Sequence, residues 1–401
     1  MTRNQLGIRL LLAVLGIAFG SSCMKKAGIT AGPDFQKQVQ EALINAKPGA
    51  VIELPEGKHD LDRTLSLSVE NVTIRGKGMD KTILSFKNQK TGAAGMLVTS
   101  NGFTIEDVAI EDPKGDALKV NGANGVTIRR VRAEWTGGPN EKNGSYGMYP
   151  VQCTNVLIED SVAIGASDAG IYVGQSKNII MRRNRAEFNV AGMEVENSQN
   201  ADVYQNTATK NTGGILVFNL PDLPVKDGKN ARIFENNVFA NNTENFAPKG
   251  NIVAKVPTGS GVIVLATNHI DIYKNTIKDN ATANVSIYSY LTTGNPINDS
   301  TYDPYTDTIY IHDNNISGGG NSPAGRTRDL VPVLGAAMPS ILYDGILRPK
   351  TKDAQICIQN NGDATFADYD AGNQFKHPKR DLKAHDCALP PLQPVTGIGT
   401  T

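Results

Sequence analysis

The chain has 401 residues, 39% of them hydrophobic, and its 40 basic side chains are balanced by 40 acidic ones. That neutrality gives no support to nucleic-acid binding, which needs a basic face. A single globular core seldom grows to this length, whereas a repetitive fold is not bounded by it.

The chain begins "MTRNQLGIRLLLAVLGIAFGSSC", in which Arg3 and Arg9 precede an apolar run and small residues lead into Cys23. Residues 1–22 have the layout of a secretory signal, too short for a spanning helix unless left uncleaved. The small residues directly before a cysteine resemble the lipobox of bacterial lipoproteins, although Gly20 stands where that family usually has Leu. The resemblance implies acylation of Cys23 and a membrane-anchored place in the bacterial cell envelope, periplasm-facing or at the outer membrane. Ordinary signal cleavage is the alternative. Residues 23–32, with Lys25 and Lys26, are expected to form a solvated tether. Loss of residues 1–22 removes two arginines and leaves 38 basic against 40 acidic residues, a formal charge of −2.

Residues 34–46, "DFQKQVQEALINA", read as an amphipathic helix that plugs one end of a repetitive core. A short pattern then recurs: Asn or Gly, apolar, any, apolar, two polar residues. It appears as "NVTIRG" (71–76), "GFTIED" (102–107), "GVTIRR" (125–130), "NVLIED" (155–160) and "NIIMRR" (178–183). It continues as "NADVYQ" (200–205), "NARIFE" (230–235), "HIDIYK" (269–274) and "TIYIHD" (308–313). The closest repeats lie 22–23 residues apart and the longer spacings are loop insertions. Each unit holds period-two apolar segments rich in Val and Ile, separated by Gly and Asn, so the units are short strands. One turn cannot bury its own apolar face, but coaxial stacking makes a continuous core. The reading is an all-β fold, a parallel β-helix of about ten turns over residues 33–320. With the opening stretch 50–84, the repeat resembles the large pectate-lyase-like superfamily, which implies a right-handed helix.

Aligned turns predict which residues stack about 4.8 Å apart. One row reads Arg75, Glu106, Arg129, Glu159, Arg182, Tyr204, Phe234, Tyr273, His312. The next holds Asp107, Arg130, Asp160 and Arg183. Charges alternate from rung to rung, so "RRVR" and "RRNR" are read as scaffold ion pairs, each contributing perhaps 0–1 kcal/mol. One position on, Asn184, Asn206, Asn236, Asn275 and Asn314 form an asparagine ladder, again similar to the pectate-lyase-like superfamily. His59, His269, His312, His377 and His385 are scattered, so no His-based metal site is expected, and no CxxCH haem motif occurs.

Function on such folds gathers on loops and strands of one face. The turn before one strand is long at 134–146 and at 241–260 but short at 165–170, 187–192 and 210–214. This predicts a cleft between two tall loops, with Asp168, Asn189 and Asn211 on its floor and Tyr149, Tyr172 and Glu194 projecting from the strands. Trp135 and Tyr146 are expected on one wall. Aromatics beside carboxylates suit sugar rings, so Tyr146, Tyr149, Tyr172, Glu196 and Trp135 are candidate substrate-binding residues. Asp168 and Glu194 are the candidate catalytic pair, on adjacent rungs, at a spacing that permits the roughly 5–5.5 Å of retaining glycosidases. "DPKGD" (112–116) resembles the DPHD motif of alginate epimerases of this fold, but Lys114 stands in place of the histidine and Gly115 is inserted. A Pro-Gly turn is the competing reading. Calcium could draw on Asp112, Asp116 and Asp168, though their spacing is not that of a calcium loop; no metal ligand is assigned.

From about 321 the repeat gives way to "GGGNSPAG" and a Pro-rich end. Residues 321–401 are read as a covering segment that shields the last rung from edge pairing. Cys357 and Cys387 are both in this tail and are expected to pair in an exported protein. Cys153 aligns with Ser176 and Ser198 and is read as a small buried filler. Two functions follow: a monomeric envelope protein that binds a polysaccharide around Asp168, Tyr172 and Glu194, with cleavage or epimerisation as the chemistry such a site could add; or a non-catalytic scaffold that partners another envelope protein. The chain also resembles a bacterial family of exported parallel β-helix repeat proteins, which are often encoded beside c-type cytochromes. That resemblance implies a cytochrome as the partner in the second case. Periplasmic copper-binding β-helix proteins are similar in fold, but few His and dispersed Met argue against copper.

Overall fold

The computed structural model describes residues 28–398, so the signal segment and Cys23 lie outside the described residues. Short parallel strands stack rung upon rung around a continuous apolar core on three faces. The first face carries the recurring apolar pattern, for example Thr154–Glu159, Lys177–Arg182 and Gln199–Tyr204. The second carries three-residue strands such as Val162–Ile164, Arg185–Glu187 and Thr207–Thr209. The third holds Tyr146–Val151, Ala169–Gly174, Ala191–Glu196, Gly213–Phe218 and Ser260–Leu265. It is an 11-stranded sheet, close to the ten turns expected. The first two faces merge into one 19-stranded sheet because Phe103–Glu111 and Asn124–Glu134 run on across their corner.

All three corners share one construction. A non-glycine residue with φ near +50° turns the chain, and the residue after it points inward and hydrogen-bonds. At the first corner Arg183 (φ 55) precedes Asn184 and Gln205 (φ 54) precedes Asn206; at the second Phe188 (φ 56) precedes Asn189 and Lys210 (φ 56) precedes Asn211. At the third Gln175 (φ 53) precedes Ser176 and Asn197 (φ 46) precedes Ser198. The left-handed conformation costs about 1 kcal/mol or more per residue, offset by the buried bonds of the residue that follows. Asn206 is representative. Its Nδ2 donates to Met181 O at 2.9 Å and Asn236 Oδ1 at 3.0 Å, and its Oδ1 accepts from the Asn184 backbone at 2.9 Å. The expected ladder is therefore present, and it runs one rung further, to Asn361.

The ladder explains the glycine that opens each third-face strand. A Cβ on Gly192 would lie 2.6 Å from Gly214 O and 2.8 Å from Asn211 Nδ2, and one on Gly170 would lie 2.7 Å from Asn189 Nδ2. Where Asn284 replaces that glycine, its own Oδ1 accepts from Asn280 at 2.9 Å and ends the row.

The N-terminal helix, Phe35–Ile44, buries Phe35, Val39 and Leu43 against the first rungs, and Phe35 stacks on His59 at 3.8 Å. The β-helix does not stop near 320. Ile341–Tyr343, Ile356–Gln359 and Phe366–Asp368 continue the stack by pairing with the rungs before them. Long insertions hid this, because the intervening loops break the 22–23-residue spacing. The tail's cover lies beyond 368. Cys357, in register with Tyr310, is joined to Cys387, and the Pro-rich end runs back along the first face. There Val395 N donates to Asp202 Oδ2 at 3.0 Å. Cys153 is buried in the serine row, its backbone N–H bonded to Ser176 Oγ at 2.9 Å.

Candidate functional site

The outer side of the first face is fully accounted for by stacking. Arg75 and Glu106 meet at 2.6 Å, Arg129 and Glu159 at 2.5 Å, and Arg183 and Asp160 at 2.7 Å. Beyond these the row becomes aromatic. Tyr204, Phe234, Tyr273 and His312 stack nearly parallel with centroids 4.7, 5.0 and 5.2 Å apart.

The outer side of the third face is different. In register from rung to rung, Tyr172 leads to Glu194 and then Leu216, while Gly174 leads to Glu196 and then Phe218. Tyr146 and Tyr149 project from the preceding strand, and the three tyrosine rings form one cluster with centroids 4.4, 4.6 and 5.0 Å apart. Gly174 matters here: a Cβ on it would collide with the Tyr172 ring, which lies across it. Tyr172 thereby reaches the next rung and donates to Glu196 Oε1 at 2.6 Å. Tyr146 Oη lies 3.4 Å from Asp168 Oδ2, and Asn251 Nδ2 approaches the same oxygen at 3.3 Å. Lys119 Nζ sits 4.7 Å over the Tyr149 ring, and Asp116 opens the same strand as Lys119.

Burial dominates the electrostatics. It pushes Asp168 up to about 7, helped by the charge of Glu196 and opposed by the hydrogen bonds from Tyr146 and Asn251. Burial also pushes Glu196 up to about 7 against the bond from Tyr172, and Asp116 up to about 6. Glu194 is raised well above the carboxylate range by burial and then by Glu196 and Asp168; it is 1% exposed and neither carboxyl oxygen has a hydrogen-bond partner. The Tyr146 and Tyr172 hydroxyls are likewise held neutral by burial. The patch can therefore offer neutral O–H donors and carboxyl groups that gain or lose a proton near pH 7.

Several expectations change. Trp135 is not on a cleft wall: it is 4% exposed in the core and its indole N–H donates to Pro113 O at 2.8 Å. Asn189 and Asn211 are not floor residues but form a second buried ladder, with Asn189 Nδ2 2.9 Å from Asn211 Oδ1 and Asn211 Nδ2 3.0 Å from Asn241 Oδ1. The loop at 241–260 does not stand as a wall beside open rungs. It folds down across them, with Val253 and Val256 packing in one apolar cluster with Leu216 and Tyr172. Of the proposed catalytic pair, Asp168 is in the tyrosine patch while Glu194 lies sealed beneath it; Glu196 is the carboxylate that a tyrosine engages. In "DPKGD", Asp112 accepts from Thr136 N and Oγ1, both at 2.7 Å, so it serves as a turn, and Lys114 is exposed. Asp116, weighed in the sequence only as an acid calcium could draw on, lies beside Tyr146 and Tyr149, and Gly174 was not foreseen as part of the site. Among the described residues no group of three or more His, Cys, Asp or Glu is placed to hold a metal ion, and no helix is long and apolar enough to cross a membrane.

A family model described as "Right handed beta helix region" matches residues 66–227. Among solved structures, the A-module of the mannuronan C-5 epimerase AlgE4 from Azotobacter vinelandii is similar, with a TM-score of 0.56 and 19% identity over 82% of this chain and 91% of that one. The AlgE6 A-module of the same organism gives 0.49 and 17%, over 83% and 91%. An alginate lyase from Paenibacillus sp. gives 0.46 and 18%, over 72% and 96%. No curated protein matches the sequence. At 19% identity the first likeness speaks for the fold alone, and it agrees with the right-handed parallel β-helix read from the repeat.

Proposed function

We propose that this right-handed parallel β-helix protein binds a polysaccharide at the Tyr146–Tyr149–Tyr172 patch and that Asp168 and Glu196 exchange protons with it. The observation that carries the reading is the convergence of three tyrosine rings with carboxyl groups that titrate near neutrality on one side of one face. Tyr146 and Tyr149, the part-exposed rings, offer flat apolar surface to a sugar, while Tyr172, 3% exposed, holds Glu196 in place beneath them. A carboxyl near pKa 7 is well matched to general acid–base work at neutral pH, and a deprotonated partner beside it can take a proton in the same step. The similar fold of a mannuronan C-5 epimerase A-module is consistent with a polysaccharide ligand. Lipidation at Cys23 would hold the site at the cell envelope; a Cys23→Ala variant released from membranes would support that anchor.

The test is a screen of the soluble mature protein on uronic-acid polymers and neutral glucans, read by new reducing ends, unsaturated products and C5 inversion. Turnover lost in Asp168→Asn and Glu196→Gln, with unchanged melting behaviour, is the expected result. No binding and no turnover on any polymer sinks the reading and leaves the scaffold alternative. Co-purification with a membrane-bound c-type cytochrome would then support that alternative.

A further inference from the structure

Farther along the same side of the third face lies a groove of about 960 Å³. Its floor is Phe218, Ile263, Leu265 and Tyr288, and its walls are the segments 252–258, 291–294 and 324–333, with Tyr369 and Phe375 at one end. Lys255 Nζ donates to Thr293 O at 2.8 Å and to Asn295, tying two of these walls together. Aliphatic side chains such as Ile252, Val256, Leu291 and Val333 predominate over aromatic ones. Such a lining suits hydrocarbon better than sugar, whose hydroxyls would be desolvated without partners. Leu291 and Phe375 are two of the few exposed large apolar side chains among the described residues, 42% and 45% exposed, and both border this groove. Arg326 also lines it, exposed and in no ion pair among the described residues, and with Lys255 it gives the groove two cations against one acid, Asp329.

We propose that this groove binds an anionic amphiphile, its hydrocarbon chain on the apolar floor and its anionic head at Arg326. The occupant is a free medium- or long-chain fatty acid, whose single carboxylate matches the one unpaired arginine of the lining. The loop that walls the groove on one side carries Asn251, which reaches Asp168 on the other. The ligand would therefore sit one wall away from the tyrosine patch.

Octanoate, decanoate and dodecanoate are titrated calorimetrically into the mature protein below their micelle concentrations. Affinity should tighten about fourfold per added methylene, as expected for burial of an alkyl chain. Arg326→Glu should weaken dodecanoate at least tenfold and leave dodecanol unaffected, while Val333→Trp, which narrows the groove, should weaken both. Asp168→Asn should keep dodecanoate binding intact, so that this inference and the polysaccharide reading fail separately. Absence of saturable binding, affinity independent of chain length, or insensitivity to both groove variants when their melting is unchanged would overturn it. Loss of binding in Asp168→Asn would place the ligand elsewhere and overturn it as well. An acylated acidic oligosaccharide that binds more tightly than both dodecanoate and its own deacylated form would overturn the free-acid assignment.

Discussion

The outer sides of the first and third faces are built on the same rungs but follow opposite rules. On the first, most carboxylates meet a cation: Glu159 lies between Arg129 and Arg182, and Asp271 meets His312 at 3.0 Å, a contact that opposes the rise burial causes there. Glu159 is consequently held below its ordinary value by those two arginines even against its burial. On the third, Asp168, Glu194 and Glu196 are buried together with no cation among their hydrogen-bond partners, and all three are raised. A scaffold gains little from that second arrangement, since burying carboxyls with no cation beside them costs stability, and most of all for Glu194, which has no partner. Charge placed against stability is the mark of a site with another task.

The comparison can be broken by mutation, beginning with the framework both faces share. Asn206→Ala removes a side chain that makes four buried hydrogen bonds to neighbouring rungs, and should cost about 3 kcal/mol or more in urea unfolding. Replacing Cys357 and Cys387 by Ser, which opens a link 30 residues apart, should cost about 3 kcal/mol and release the Pro-rich end from Asp202. Glu194→Leu continues the apolar row of Leu216 and should raise stability by about 1–3 kcal/mol, where the opposite change at a paired first-face acid, Glu159→Leu, should lower it. A rise in stability with Glu194→Leu and unchanged glycan turnover would also settle that Glu194 is not a catalytic group.

The two faces should further differ in pH dependence. Asp168 and Glu196 are raised to about 7 from ordinary carboxylate values near 4. Their contribution is fully present below the unfolded value and is lost as pH rises through about 7. Melting temperature should therefore fall across that window, and the Asp168→Asn, Glu196→Gln double variant should flatten the fall. Depressed Glu159 acts in the opposite sense, contributing above its unfolded value and losing that contribution as pH drops. The smallest effect is expected at Arg183→Ala, about 1 kcal/mol, because its pair with Asp160 is part-exposed and Glu159, which it also meets at 2.8 Å, keeps Arg129 and Arg182.

The fold was legible because stacking imposes its period on the sequence: Val, Ile and Asn recur at fixed offsets wherever a rung is short. It became illegible past 320, where long loops separate rungs that still pair in space. The second asparagine ladder also left a signal that spacing alone could have given. Asn189, Asn211, Asn241 and Asn280 each follow a first-ladder asparagine by five residues. Overlooking that offset put Asn189 and Asn211 on a cleft floor. The site was half legible. Short turns between long ones, and aromatics beside carboxylates, pointed to Asp168, Tyr172, Glu194 and Glu196. Which of them face one another depended on a glycine, Gly174, that lets Tyr172 lie along its own strand, and on a distant loop that brings Asn251 down over Asp168. Neither follows from local pattern. Trp135 was misplaced because an aromatic in a long loop looks exposed until its N–H finds Pro113.

The central claim is that the third face, not the first, carries the working surface. Glycan-array binding of three otherwise identical proteins tests it most directly: the native sequence, the Asp168→Asn, Glu196→Gln double variant, and Arg183→Ala. Binding of at least one polysaccharide by the native protein and by Arg183→Ala, weakened tenfold or more in the double variant, is the predicted result. Equal binding by all three, or loss confined to Arg183→Ala, would contradict it.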